Sequence, residues 1–99
     1  MVIITKSVLV HFGLKHTKSV SALNDWYKIT KASNWNNLSD VKRTYNSVDY
    51  IGNDRYVFNI KGNNYRLVTM IHFDIRTIYI RFIGTGTHSE YDKIDCLTI

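Results

Sequence analysis

The chain predicts an α+β domain with N-terminal helices laid on one face of a mainly antiparallel sheet, and three observations carry that prediction. Apolar residues recur at helical spacing from about residue 6 to residue 32. From Arg55 to Gly84 they alternate at a period of two. Between the first two alternating runs stands Gly62-Asn63, a pair suited to a two-residue hairpin turn because both residues tolerate positive φ.

Taken in order, Met1–Thr5 (MVIIT) reads as a short β-branched strand. Thr5 is placed to cap a helix running to about His16, with Val8, Leu9 and Phe12 as its apolar stripe. A second helix is predicted over about 18–32, where Val20, Leu23, Trp26 or Tyr27, and Ile29 or Thr30 recur near helical spacing and read as core. The Asn- and Ser-rich stretch SNWNNLSD is a loop, and Ser39 is a candidate cap for a short helix from Asp40 to about Tyr45. The remainder is β. Along Arg55–Lys61, residues Tyr56, Phe58 and Ile60 face one way; Arg55, Val57, Asn59 and Lys61 face the other.

The turn then sets the register. Lys61 falls opposite Asn64 and Asn59 opposite Arg66. The next strand sends Tyr65, Leu67, Ile71 and Phe73 toward the core and Arg66, Val68, Met70 and His72 to the other side. A four-residue loop, Phe73–Arg76, pairs His72 with Thr77, Met70 with Tyr79 and Val68 with Arg81. Ile78, Ile80 and Phe82 then point inward, and Tyr79, Arg81 and Ile83 outward. Arg66 and Arg81 become diagonal neighbours, roughly 7–8 Å apart at Cα. A loop one residue shorter would turn Arg81 into the core. With the helices on the Tyr56/Phe58/Leu67/Ile80 side, the arginine side is expected to be an open, shallow surface.

Composition limits the partners. A chain of 99 residues, 44% hydrophobic, supports one domain with one modest core. The net charge of +5 and pI near 9.4 favour nucleic acid or another acidic partner. Lysines dominate the first half and arginines the second, where Arg55, Arg66, Arg76 and Arg81 stand among aromatics; guanidinium forks suit phosphate. No apolar run is long enough to span a membrane. MVIITK does not read as a signal peptide, and a single cysteine, Cys96, forms no internal disulfide, so the expected compartment is the cytoplasm. Ligand spacings for zinc or calcium are lacking, as is a glycine-rich phosphate loop before a helix.

Two arginines on one side of a sheet, followed by His88 and Tyr91, match the needs of metal-independent RNA cleavage. The 2′-hydroxyl must lose a proton, the phosphorane must be stabilised, and the 5′-oxygen must regain a proton. Arg66 and Arg81 are the candidate electrostatic stabilisers. His88 carries the side chain type that exchanges protons at neutral pH. Tyr91 serves as acid or base if cations favour its phenolate, or stacks on a base. Lys61 and Lys93 add positive field, Asn59 orients a substrate group, and Tyr79 offers a stacking platform. The competing structural roles are plain: Arg66 and Arg81 pairing with Glu90, Asp92 or Asp95, His88 as a surface loop residue, and Tyr91 as an anchor for the tail.

The run VFNIKGNNYRLV, followed by YIRFIG and THSEYDKID, closely resembles the HigB toxins of bacterial type II toxin–antitoxin systems, within the RelE/ParE superfamily. IITK and the WYK of the second helix share the resemblance, which covers nearly the whole chain. It implies a RelE-like fold and an mRNA endonuclease, independent of metal or cofactor, that cuts messages in the ribosomal A site and leaves a 2′,3′-cyclic phosphate. It also implies a HigA-type helix-turn-helix antitoxin through which the pair contacts operator DNA. By this resemblance Arg66 and Arg81 match phosphate-binding arginines, His88 the histidine of a Thr-His pair, and Tyr91 a C-terminal tyrosine; Lys61 and Lys93 match less closely. One departure stands out. Gly84-Thr85-Gly86-Thr87-His88 repeats Gly-Thr, so two residues are inserted between Arg81 and His88 relative to the family. The insertion either preserves strand parity or lengthens a loop. The alternative functions are a weak or inactive binding protein acting through its antitoxin, and an inhibitor of another target, as ParE relatives inhibit gyrase.

Overall fold

The computed structural model describes residues 1–62 and 64–85. Its elements are β1 (Val2–Ile4), α1 (Ser7–Lys15), a 3₁₀ turn at Thr17–Ser19, α2 (Val20–Ala32), α3 (Leu38–Thr44), β2 (Asp49–Gly52), β3 (Arg55–Ile60), β4 (Tyr65–His72) and β5 (Thr77–Thr85). The five strands form one sheet in the order β1-β5-β4-β3-β2. All pairings are antiparallel except β1 with β5, which is parallel.

The core follows the predicted patterning. Phe58 and Ile60 of β3, Leu67 and Ile71 of β4, and Ile78 and Ile80 of β5 join Leu9, Leu23, Trp26, Trp35 and Val41 in one buried cluster. Phe58 is its aromatic centre, with ring centroids 5.4 Å from Trp26, 5.3 Å from Tyr45 and 6.3 Å from Trp35. On α1, Phe12 stacks on His16 at 4.2 Å and meets Tyr65 of β4 edge-on at 5.6 Å. Both geometries are favoured by the ring quadrupole. In α2 the alternatives resolve to Trp26 and Thr30, which are buried. Val20, also read as core, is exposed, as is Ile29, the alternative to Thr30.

Both helix caps differ from the prediction. Thr5 lies at φ 74° and makes no side-chain cap; its carbonyl instead accepts from Val8 N at 3.1 Å. α3 begins at Leu38, two residues before the predicted start, because Asn37 Oδ1 accepts from Asp40 N at 3.0 Å. Asp40 returns the bond by accepting from Asn36 N at 2.9 Å. Ser39 therefore lies inside the helix, in its first turn, and the cap position belongs to Asn37.

The registers of the two main hairpins match the prediction at their anchor points. Asn59 pairs with Arg66 and Ile60 with Tyr65. Asn64 N donates to Lys61 O at 3.3 Å across the turn. His72 pairs with Thr77 and Met70 with Tyr79 across the four-residue loop. Beyond that the ladder shifts, since Thr69 pairs with Ile80 but Val68 pairs with Phe82. Arg81 is the extra residue of a β-bulge, so Arg81 and Phe82 together stand opposite Val68. The bulge reverses the predicted parity after it. Ile83 is buried in the core and Phe82 is not part of that cluster. A regular strand has no way to bury Ile80 and Ile83 together, because residues three apart face opposite sides. One unpaired residue resolves this and leaves the charged Arg81 in solvent.

Candidate functional site

The side of the sheet away from the core carries Arg55, Val57 and Asn59 on β3, Arg66, Val68, Met70 and His72 on β4, and Tyr79 and Phe82 on β5. Arg66 sits between Asn59 and Gly84 in the ladder. Gly84 places no side chain beside it. One cross-strand step further along stands Val68, with Arg81 at the bulge opposite it. The predicted Val68–Arg81 pairing is replaced by Val68–Phe82, so Phe82 takes the position diagonal to Arg66 and Arg81 stands one residue further along β5. Arg66 is half-buried and engaged in an interaction of its own; Arg81 is exposed.

This side is not the open, shallow surface expected. Val57 is 1% and Val68 0% exposed, although neither belongs to the core cluster. Long side chains flank both valines: Arg55 and Asn59 along β3, Arg66 and Met70 along β4. Such stems cover apolar surface beside them. Arg55 is itself buried, with Nη1 donating to Asn53 O at 2.9 Å and lying 3.1 Å from Met70 Sδ.

The other predicted residues divide. Asn59 is beside Arg66 as expected, and its Nδ2 donates to Ser47 O at 3.4 Å, which ties β3 to the turn before β2. Tyr79 is two residues from Arg81, but its ring contacts His72, with centroids 5.5 Å apart and planes at 69°. Lys61 does not extend the arginine side. It has left the strand at φ 52°, and its Nζ donates to Lys18 O in the 3₁₀ turn at 3.3 Å. His88, Tyr91 and Lys93 lie outside the described residues, as does Cys96. Of the repeated Gly-Thr, the first pair continues β5, with Gly84 opposite Arg66 and Thr85 opposite Tyr65.

Two features were missed in the sequence. β2 pairs with β3 through a turn in which Gly52, Asn53 and Asp54 all have positive φ; the Gly-Asn-Asp run was its visible signal. Asp54 then brings its carboxylate to 4.0 Å from His72 Nε2, at the end of the sheet remote from Arg66. Both partners are substantially exposed, so the pair contributes little to stability. No helix among the described residues is long and apolar enough to cross a membrane.

Residues 19–94 match the HigB_toxin family, described as the RelE-like toxic component of a toxin-antitoxin system. The mRNA interferase HigB of Escherichia coli O6:H1 is 26% identical over 96 residues, covering 95% of this chain and 91% of that protein. A shorter and denser match, 49% identical over 37 residues, links the chain to the mRNA interferase toxin HigB of Escherichia coli K12, covering 37% of this chain and 34% of that protein. The mRNA interferase HigB of Shigella flexneri matches to the same extent.

Proposed function

This chain belongs to the HigB toxin family, the RelE-like toxic components of toxin–antitoxin systems, and we propose that it is an mRNA endonuclease that cuts messages on the ribosome. The relatives named mRNA interferase support the substrate class. The observation that carries the reading is that Arg66 and Arg81 stand on neighbouring strands, Arg66 opposite Gly84 and Arg81 in solvent at the bulge opposite Val68. Two guanidiniums so spaced converge on one phosphate.

In the proposed reaction the 2′-oxygen attacks the adjacent phosphorus and the P–O5′ bond breaks, leaving a 2′,3′-cyclic phosphate and a free 5′-hydroxyl. Arg66 and Arg81 neutralise the charge that accumulates on the phosphorane oxygens, so no metal is required. His88 and Tyr91 exchange the two protons, one leaving the 2′-hydroxyl and one arriving at the 5′-oxygen. Asn59 orients substrate beside Arg66, Tyr79 stacks on a base, and Lys93 contributes positive field. The helices lie on one face of the sheet in the RelE-like manner, and the core joining Leu9, Leu23 and Trp26 to the strands supports that arrangement. The protein acts in the cytoplasm, restrained by a HigA-type helix-turn-helix antitoxin that brings the pair to operator DNA.

The test is cleavage of an mRNA on programmed ribosomes against the same RNA free in solution, with wild type and His88→Ala in parallel. Cutting confined to ribosomes and lost in His88→Ala is the expected result. Cutting that survives His88→Ala moves proton transfer to Tyr91 or Lys93. A folded wild type that cuts neither RNA overturns the endonuclease reading.

A further inference from the structure

Away from the arginine side, α1 and α2 enclose a groove of about 230 Å³. Leu9 and Leu23 are buried at its base, and Val10, Leu14 and Val20 line it at 55%, 74% and 40% exposure. Gly13 lets the walls meet closely, since a Cβ there would lie 3.0 Å from Val20 Cγ2. Apolar side chains this exposed, clustered in one groove between two helices, mark an interaction surface.

The charge around the groove is one-sided. Tyr27, which lines it, has Lys6 Nζ 4.3 Å and Lys31 Nζ 5.7 Å from its ring centroid. Neither ammonium is within ion-pair distance of a carboxylate among the described residues. Through residue 48 the acidic side chains are Asp25 and Asp40 alone, against six lysines and Arg43, and neither aspartate lines the groove. From Lys6 to Leu14 the α1 wall runs about 12 Å at 1.5 Å per residue, enough for two turns of an incoming helix.

We propose that the α1/α2 groove is the docking site for an amphipathic α-helix of the antitoxin, with aliphatic side chains at i, i+3/i+4 and i+7 and carboxylates flanking that stripe. The apolar stripe fills the space between Val10, Leu14 and Val20, and the carboxylates meet Lys6 and Lys31 beside Tyr27. The partner's identity rests on the toxin–antitoxin reading; its chemistry rests on the groove's shape and charge. Restraint by this route holds the antitoxin on the helices and not on the arginine side of the sheet.

The experiment is calorimetric titration of the purified cognate HigA-type antitoxin into wild type, Leu14→Glu and Lys6→Glu. Thermal melts check that the variants fold, as expected for exposed positions. Leu14→Glu is expected to weaken binding on the order of 30-fold, as loss of a central apolar anchor does. Lys6→Glu is expected to weaken it less and to reduce its salt dependence. Unchanged affinity in both variants, or no binding to wild type, overturns the proposal. So does a wild-type dimer in sedimentation that Leu14→Glu dissociates, since a second copy then fills the groove. Ribosomal cleavage measured on the same samples separates the two readings. If wild type fails to cut while Leu14→Glu still loses the antitoxin, the endonuclease reading falls and the docking site stands.

Discussion

Replacing Arg81 with alanine is expected to remove cleavage without unfolding the protein. Arg81 is exposed and unpaired in the β4–β5 ladder, and substitutions at such surface positions usually change stability by no more than about 0.5 kcal/mol. The catalytic loss is larger. A guanidinium about 4 Å from a phosphorane oxygen gains about 1 kcal/mol at the dielectric of water and about 4 kcal/mol at an effective dielectric near 20. Bound RNA partly excludes water from an otherwise exposed residue, so a value between these limits applies. About 2.7 kcal/mol corresponds to a loss on the order of 10²-fold in rate. Single-turnover cleavage of ribosome-bound message measures the loss, and a urea titration measures the fold. Lysine at the same position retains the charge but not the fork, so it is expected to restore only part of the rate. Deletion of Arg81 is a sharper control. It removes the bulge while leaving Val68 opposite Phe82 and Ile83 in the core. A folded deletion variant without activity separates the charge from the packing. An Arg81→Ala protein that folds and cuts at the wild-type rate refutes the site.

Three further outcomes are expected. Phe58→Ala, which removes a buried ring in contact with Trp26, Trp35 and Tyr45, is expected to cost about 3–5 kcal/mol; a urea midpoint close to wild type would contradict the central role of this ring. Asn37→Ala is expected to cost about 0.5–2 kcal/mol by removing the α3 cap, whereas Ser39→Ala is expected to be near neutral; the reverse order in chemical denaturation would contradict the observed cap. Burial raises the Tyr45 phenol above its ordinary value of 10.0, with the hydrogen bond to Thr30 opposing and Asp25 adding. Burial likewise raises Tyr56, with Tyr50 and Asp54 adding. The native state therefore keeps these protons where the unfolded chain releases them, so this stability is complete below the ordinary tyrosine value and is lost as pH rises through the raised ones. A urea midpoint that holds steady between about pH 9 and about pH 11 would contradict that sign.

The α+β class, three of the helical segments and the strands from Arg55 onward were legible because periodicity reports which side of a local element is apolar. Asn59 opposite Arg66, and Met70 opposite Tyr79, followed from turn lengths alone. β2 was overlooked because Asp49–Gly52 is short and half-polar. Its existence depends on β3 offering a free edge. The cap of α3 went to Asn37 because Asn36, Asn37 and Asp40 exchange bonds that a search for one capping residue does not anticipate.

Local content follows from the residues alone: the order of helices and strands, the two turns, and the arginines on strands beside a basic helical half. The tertiary structure decided what happens where elements compete for the same core. Strict alternation along β5 assigned Phe82 to the interior, but Ile80 and Ile83 both lie there. The sheet accommodates them with a bulge at Arg81, and only the packed partner strand reveals it. The same packing leaves Val57 and Val68 buried on the arginine side, turns Lys61 toward the 3₁₀ turn, and leaves Val10, Leu14 and Val20 outside any core. A strand's period records which residues prefer burial; which of them obtain it depends on the space that neighbouring elements leave.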